Sequence, residues 1–324
     1  MREDLTPLGD VVVAIDPASG REFPGSAVVC DSSGRVLASL GAPHQLFFLR
    51  SLTKIPRATA LIEHSLAPEE PSPTLALAAG SHTGTDMHLA ALSRMATDLE
   101  VDIASLRTSV RRRLGSSHLP FTADKDEQRV HLQNECSGEH IGALALARKF
   151  GDDDYLSTSS AVQATYRSLV EKFAAGAVHA EARDHCGMPS VRASLTSVAT
   201  GFARLSEGMG NAGSSLTGSI SKFAELYAGT GQYSTELVKA SRGAVIAKGG
   251  LGGSYGLWWP DLGVGAAIRI SGGEHAAAAV VLPHLAVEAN VPYPADPPEY
   301  CFDDGTVSQL RFAAVESLEH ARGG

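Results

Sequence analysis

The chain has 324 residues, of which 19% are charged, and a formal net charge of −9. A chain of this length can bury a substantial core, in one large domain or in two lobes. The negative charge argues against nucleic acid or an anionic membrane surface as the main partner. No apolar stretch approaches the roughly 18 residues that a membrane-spanning helix needs. No hydrophobic signal region follows the first residues, so we expect a cytoplasmic protein.

The predicted elements begin with strands and then change to helices. Apolar runs predict strands over 9–15 and 26–40, the second forming a hairpin. From Ser51 onward, apolar residues recur at three- and four-residue intervals, which predicts a helix that Pro68 ends. Further helices are predicted over 86–99, 140–150, 159–176, 191–207 and 219–229, and loops over 68–74, 115–127 and 208–218. Strands return over 243–248, 254–259 and 263–270, before helices over 275–289 and 306–321.

This order predicts the fold class. Strands at both ends of the chain and helices between them indicate an α/β (α+β) protein with an antiparallel sheet and an inserted helical lobe. We expect a single two-lobed catalytic domain over residues 1–324. Its sheet lobe takes about 1–48 and 240–324, and its helical lobe takes about 49–239.

A Ser-x-x-Lys pattern supplies a candidate nucleophile. Ser51 and Lys54 are three residues apart, so their side chains share a face of the predicted helix. A lysine with a lowered pKa can take the proton of such a serine without a histidine. The alternative is a capping serine beside an exposed lysine. The pattern alone is weak, because Ser219 and Lys222 repeat it, and we interpret these two as a helix cap and an exposed lysine.

Two further motifs can complete such a site. Ser81 lies in a small polar segment, where it can relay a proton between Ser51 and a lysine or simply form a turn. Lys248 ends a predicted strand, and the following Gly249 leaves room for a substrate to approach the backbone. An early Ser-x-x-Lys and a late Lys-small-Gly occur in this order in β-lactamases and penicillin-binding proteins. In that arrangement Lys248 supplies the cation that lowers the pKa of Lys54.

Two cysteine motifs predict a metal site. Cys136 and Glu139 are spaced to reach one ion from one helical turn, and Cys186 lies in a second motif with a carboxylate and an imidazole beside it. Thiolate, carboxylate and imidazole groups are the ligands that zinc prefers. We therefore predict zinc bound by Cys136, Glu139 and Cys186, with His140 or His185 as a fourth ligand. Two unrelated loops with inert thiols are the alternative.

Taken together, these motifs resemble those of the rhizobial-type bacterial L-asparaginases, which have a serine-β-lactamase-like fold. The resemblance extends from about residue 10 to about residue 275. Its five ordered motifs are Arg50-Ser51-x-x-Lys54, Ser81-His82-x-Gly84, Cys136-Ser137-Gly138-x-His140, Asp184-x-Cys186-Gly187-x-Pro189 and Lys248-x-Gly250. Five matches in order are far more specific than any one of them.

The resemblance implies an amidohydrolase that converts a carboxamide to a carboxylate and ammonia. Ser51 with Lys54, and Ser81 close to Lys248, would form two Ser-Lys pairs, and Ser51 would attack the amide. Substrate contacts would come from Asp184 to the α-amino group, from Arg50 to the carboxylate, and from His82 and Gly249. In such family members two cysteines and a lysine hold zinc near the active site, and the family likeness favours a homodimer.

Several residues depart from the family's pattern. Glu139 replaces its lysine, Glu135 stands where asparagine is usual, Arg57 stands where glutamine is usual, and His185 replaces the first glycine of the Asp184 motif. These changes favour two alternatives to asparagine hydrolysis. One is an asparaginase-like hydrolase or acyltransferase that acts on a larger amide in specialised metabolism. The other is a non-catalytic relative that binds a metal or an amino acid.

Overall fold

A computed structural model describes residues 10–108, 127–174, 178–300 and 307–313. The strands in these ranges are β1 (Val11–Ile15), β2 (Glu22–Asp31), β3 (Val36–Leu40), β4 (Leu46–Phe48), β5 (His179–Arg183), β6 (Pro189–Ser194), β7 (Ile246–Gly250), β8 (Ser254–Trp259), β9 (Val264–Ile270) and β10 (Arg311–Phe312). The first α-helices are α1 (Lys54–Ala58), α2 (Ala60–Glu63), α3 (Pro73–Ala79), α4 (Asp86–Asp98), α5 (Glu127–Gln133), α6 (Ser137–Phe150) and α7 (Ala161–Phe173). The later ones are α8 (Leu195–Ala203), α9 (Leu205–Gly208), α10 (Gly210–Lys222), α11 (Ala224–Tyr227), α12 (Tyr233–Ala240) and α13 (His275–Glu288). Short 3₁₀ turns cover Arg50–Thr53 and Ile103–Ser105.

The main sheet is antiparallel and uses strands from both ends of the chain. Its order is β10-β1-β2-β9-β8-β7, with β3 also paired to β2. The central pairing joins the two ends, because Gly25–Asp31 of β2 lies beside Val264–Ile270 of β9. The structure thus confirms the predicted fold class, an antiparallel sheet built from the two chain ends with helices inserted between them.

Each face of this sheet has its own apolar core. On one face, Val29 and Ile268 pack with Leu282 of α13. On the other, Ala267 and Trp258 pack with Phe202 of α8, and this core continues into the helices. Alternate residues of a strand point to opposite faces, so the apolar runs of β8 and β9 supply both cores. β7 forms one edge of the sheet, and the 3₁₀ turn at Arg50–Thr53 packs against it.

Several predicted elements are wrong. The predicted helix over 191–207 begins as strand β6, which pairs with β4 and β5 in a second, three-stranded sheet. The predicted loop over 208–218 is largely helix α10, whose Ala212, Leu216 and Ile220 recur at four-residue intervals and are buried. Tertiary burial of this stripe outweighs the low helix propensity of the surrounding glycines and serines.

The ends of the described ranges limit two other comparisons. The predicted helix over 306–321 contains strand β10 in its described part, and the rest lies outside the described residues. Nearly all of the predicted loop over 115–127 also lies outside them. Within the described ranges, none of the helices has the length and apolar character needed to cross a membrane.

Candidate active site

Two buried lysines meet at one serine. Lys248 Nζ lies 2.6 Å from Ser81 Oγ, and Lys54 Nζ lies 3.1 Å from the same oxygen. Lys54 also donates to the carbonyl oxygens of Gly80, at 2.8 Å, and Glu135, at 3.3 Å. Both lysine side chains are almost completely buried, so their charges are governed by their neighbours rather than by water.

Ser51 lies just before Lys54, in a strained turn. It belongs to the 3₁₀ turn Arg50–Thr53, and it retains 6% of its surface exposed. Arg50 has a φ of 47°, in the left-handed region that is unfavourable for a residue with a side chain. The Arg50 N–H donates to Ser190 Oγ at 3.0 Å, which helps to hold this conformation. None of the hydrogen bonds of the Lys54 amine goes to Ser51, so the structure joins Lys54 to Ser81 instead.

Close backbone packing fixes the Ser81 loop. A Cβ on Gly80 would lie 2.5 Å from the carbonyl oxygen of Tyr227, so no larger residue fits there. The N–H of Ser81 donates to that same carbonyl at 2.9 Å. The Tyr227 ring also lies 5.4 Å from Lys248 Nζ, and its hydroxyl donates to Ala247 O. Tyr227 therefore aligns the loop and the lysine strand with each other.

The pKa values of the two lysines are shifted in opposite directions, and the lysine with the lowered pKa is Lys248 rather than Lys54. Burial lowers the pKa of Lys248 well below its usual range, and the positive charge of Lys54 lowers it further. Burial also opposes the charged form of Lys54, but the negative groups around it, led by Cys136 and Glu139, outweigh burial and raise its pKa. The prediction that Lys248 lowers the pKa of Lys54 is therefore wrong. The surroundings favour the charged form of Lys54 and the neutral form of Lys248.

His82 supports the loop instead of facing the cleft. Its ring is 2% exposed and stacks on His88 with 5.0 Å between ring centres. Its Nδ1 accepts from the N–H of Gly84 at 3.1 Å, and its Nε2 lies 2.9 Å from Ser137 Oγ. These contacts indicate that His82 positions the Ser81 loop, and its substrate contact stays a prediction.

Gly249 and Gly250 face opposite sides of the sheet. A Cβ on Gly249 would touch the ring of Tyr255 at 3.4 Å, on the face away from Lys248. A Cβ on Gly250 would lie 2.5 Å from Ser254 Oγ, on the same face as Lys248. On the face that carries Lys248, the position that needs a glycine is therefore Gly250. The predicted substrate contact of Gly249 would be made by its backbone.

The predicted metal ligands converge. The ligand atoms of Cys136, Glu139 and Cys186 all lie within 4.8 Å of one another, and all three side chains are buried. Helix α6 approaches α3 closely enough that a Cβ on Gly138 would lie 2.2 Å from Leu77 O. This contact brings the first turn of α6 beside the lysine cluster.

The two thiols are also coupled to each other. A hydrogen bond from Cys186, with help from Lys54, lowers the pKa of the Cys136 thiol to about 6 in spite of burial. The same hydrogen bond and burial raise the pKa of Cys186. These shifts favour the thiolate at Cys136 and the thiol at Cys186, and the donor set of two sulfur atoms and a carboxylate fits a zinc ion.

Glu139 has a second partner that the sequence motifs did not reveal. Arg57 Nη1 donates to Glu139 Oε1 at 2.8 Å, and both side chains are at most 5% exposed. Arg57 Nη2 donates to the carbonyl oxygen of Pro189 at 2.6 Å. Two departures from the family's pattern, Arg57 and Glu139, are thus one buried ion pair. The signal in the sequence is that a basic and an acidic departure occur together, which is what a buried ion pair requires.

The two predicted fourth ligands lie in different surroundings. His140 Nδ1 lies 2.8 Å from the hydroxyl of Tyr155, and burial lowers its pKa to about 3. His140 belongs to neither group of converging metal-binding side chains in the described residues. His185 instead forms such a group with Cys136 and Glu135. Of the two, only His185 belongs to a converging group that contains a predicted ligand.

His185 is also bonded to Asp184, whose carboxylate was predicted to hold the α-amino group of the substrate. Its Nδ1 lies 2.9 Å from Asp184 Oδ1, and its Nε2 lies 2.5 Å from Glu135 Oε1. Hydrogen bonds to Asp184, Cys136 and Glu135 raise the pKa of His185 to about 12, so the ring is protonated. Arg50 Nη1 donates to the same Asp184 oxygen at 3.2 Å. Burial opposes ionisation of Asp184, yet these cations hold its pKa at about 2.

A family model described as L-asparaginase II matches residues 22–300. No curated protein is similar enough to count as a match.

Two solved structures are similar at low identity. Mglu in its native form has 12% identity and a TM-score of 0.45, covering 84% of this chain, and the chain spans only 66% of the length of Mglu. A β-lactamase from Mycobacterium bovis has 12% identity and a TM-score of 0.28, covering 82% of this chain and 92% of the β-lactamase. At these scores neither likeness bears on function.

Proposed function

The chain belongs to the L-asparaginase II family, and on this premise we propose that it hydrolyses a carboxamide through a serine acyl-enzyme. Membership confirms the resemblance carried by the five motifs, and it makes the chain an asparaginase-like amidohydrolase. The observation that carries the proposed mechanism is the hydrogen-bonded series Lys54–Ser81–Lys248, in which a charged lysine and a neutral lysine share one hydroxyl.

Lys248 is the proposed base. Its lowered pKa leaves the amine neutral, and its distance of 2.6 Å allows it to accept a proton through the Ser81 hydroxyl. When Ser51 Oγ bonds to the amide carbon, the serine proton passes through Ser81 to Lys248. Collapse of the tetrahedral intermediate breaks the carbon–nitrogen bond, and the leaving nitrogen takes the proton and departs as ammonia. Water then attacks the ester and restores Ser51 by the same proton path.

Lys54 is proposed to remain an ammonium ion throughout. Its neighbours hold it charged, and it donates to Ser81 Oγ, so it stabilises negative charge on that oxygen as the proton leaves. The same arrangement makes Ser81 a second candidate nucleophile. Ser81 has a neutral base and a cation within hydrogen-bond distance, whereas Ser51 is bonded to neither lysine.

The state of Asp184 favours an amide other than asparagine. Its Oδ1 is already bonded to Arg50 and His185, and it is the group that would pair with the substrate's α-ammonium. A cationic substrate group at this carboxylate would meet the positive charges of Arg50 and His185, which oppose its binding. A larger amide without a free α-ammonium, in a hydrolase or an acyltransferase, is therefore our second candidate function.

Zinc is proposed at Cys136, Glu139 and Cys186, with His185 beside them. The coupled thiols and the carboxylate provide three ligands of the types that zinc takes. Bound zinc would supply positive charge that keeps both thiols ionised. Arg57 would compete with the ion for Glu139 and would fix the orientation of its carboxylate.

The test compares two serine variants on a panel of amides. We expect Ser51→Ala to abolish ammonia release from the amide that the wild-type protein hydrolyses, while Ser159→Ala, an exposed control, leaves it unchanged. Rapid acid quenching and peptide mass spectrometry should place the acyl group on Ser51. An acyl group on Ser81 would instead identify Ser81 as the nucleophile. Appreciable turnover by both Ser51→Ala and Ser81→Ala would overturn the Ser-Lys mechanism.

A further inference from the structure

A pocket with three arginines lies beside the candidate active site. It has a cavity of about 240 Å³, and its lining includes Arg50, Arg192 and Arg269 but no aspartate or glutamate. Apolar side chains, among them Phe48 and Leu251, form part of its wall. A cavity of this size admits a small charged group and a few attached atoms, rather than a whole cofactor.

Two of the three guanidinium groups have no acidic partner in the described part of the chain. The side chain of Arg269 makes no hydrogen bond or ion pair among these residues. Arg192 donates from Nη2 to the carbonyl oxygen of Leu46 at 3.1 Å and lies over the ring of Phe48, and its Nε is buried without a hydrogen-bond partner. The carboxylate of Asp10 accepts hydrogen bonds from Ser26, which is opposite Arg269 in the sheet, and from Ser271. It forms no ion pair with Arg269.

Sheet register places Arg269 on the side of the catalytic lysine. Arg269 of β9 is opposite Ser254 of β8, and Ser254 is opposite Gly250 of β7. Lys248 is two residues from Gly250, so Lys248 and Arg269 project from the same face of the sheet. Two strand spacings across and two residues along correspond to roughly 12 Å between their Cα atoms. A substrate of modest length can therefore reach both groups.

Like charges held together in a partly buried pocket repel one another, and an anion relieves that repulsion. Guanidinium groups bind carboxylate and phosphate oxygens through paired, charge-assisted hydrogen bonds. Arg50 is already paired with Asp184, whereas Arg192 and Arg269 form no ion pair among the described residues.

We propose that this pocket binds an oxyanion, a carboxylate or a phosphate, carried by the substrate at the end remote from its amide. The assignment of the anion to a substrate rests on the proposed amide hydrolysis, whereas anion binding itself does not. The preferred substrate class is then an anionic amide. The charge would be recognised by Arg192 and Arg269, and the amide would lie at the lysine cluster.

The direct test is calorimetric titration with two probes, inorganic phosphate and glutarate, at low ionic strength. We expect the wild-type protein to bind at least one probe. Arg269→Gln and Arg192→Gln should each weaken binding about tenfold or more, which corresponds to about 1.4 kcal/mol. Arg35→Gln is the matched control, because Arg35 is exposed and pairs only with Asp31 in the described residues. The probe that binds more tightly identifies the class of oxyanion.

Kinetic measurements separate this inference from the proposed function. Arg269→Gln should raise KM for an anionic amide with little change in kcat, and should not affect a neutral amide. If the arginine variants lose probe binding but the wild-type protein hydrolyses no amide, the anion pocket is supported and the proposed function is rejected. Amide turnover together with probe binding that is absent, or that is the same in wild type and both variants, would overturn the pocket alone.

Discussion

The buried pair Arg57–Glu139 gives a prediction whose size follows from the structure. The two charges are 2.8 Å apart, and both side chains are at most 5% exposed. Coulomb attraction at that distance is about 6 kcal/mol for an effective dielectric constant of about 20. Removing one partner leaves an uncompensated buried charge, which costs about 3–5 kcal/mol. We therefore expect Arg57→Met to lower the free energy of unfolding by that amount.

The double variant provides the decisive comparison. In metal-free protein, Arg57→Met with Glu139→Met removes both charges, and we expect it to regain most of the lost stability, because replacing a buried ion pair by apolar groups is often nearly neutral. The bond from Arg57 to Pro189 O and its contact with the ring of Tyr166 are lost in the single and double variants alike, so their loss cancels in the comparison.

Urea denaturation followed by circular dichroism measures these differences, provided that the m value stays constant among the variants. Arg167→Met is the exposed control. Arg167 is 42% exposed and pairs with Glu171 on its own helix and with Glu181 on β5, and solvent-exposed pairs of this kind contribute about 0–1 kcal/mol each. If Arg57→Met costs no more than this control, or if the double variant is as unstable as the single one, the reasoning is refuted.

Three further predictions concern packing, protonation and metal. Gly138→Ala should cost about 1–3 kcal/mol or more, because its Cβ would lie 2.2 Å from Leu77 O; Gly142→Ala in the same helix, whose Cβ meets only side-chain atoms at 3.4 Å, should be neutral or stabilising in thermal melts. Because the pKa of Lys248 is lowered on folding, the unfolded chain binds a proton that the folded protein lacks, so stability falls as pH decreases from the unfolded pKa of about 10.4. Lys248→Met should remove this slope, and parallel wild-type and variant curves from pH 7 to 10 would contradict it. Cys186→Ala should lower the zinc content of chelator-free protein from about one ion per chain to near zero by elemental analysis, and a metal-free wild-type protein would reject the site.

The strands and the motif residues were readable from the sequence for a physical reason. Continuous apolar runs such as 263–270 correspond to strands buried on both faces, and β9 is at the centre of the sheet. Serine, lysine and cysteine motifs mark chemistry that needs those atoms, and the structure brings Ser81, Lys54 and Lys248 together. The homodimer and the boundaries of the two lobes remain predictions.

The features that sequence reasoning missed depend on three-dimensional neighbours. Helix α10 is rich in glycine and serine, and only its buried apolar stripe stabilises it. The direction of each lysine's pKa depends on which carboxylates and thiols surround it, and spacing along the chain does not report this. The pair Arg57–Glu139 joins residues 82 positions apart, so neither residue alone indicates the contact.

The position of β7 at the edge of the sheet links catalysis to solubility. An uncovered sheet edge offers unpaired N–H and C=O groups to strands of other chains and promotes aggregation. Here the turn that carries Ser51 packs against β7, and the backbone oxygen of Leu49 approaches Gly250. The segment that carries the proposed nucleophile therefore also packs against this edge strand. Substitutions that loosen the turn should cause the protein to self-associate as well as to lose activity, so colloidal stability would itself report on the integrity of the site.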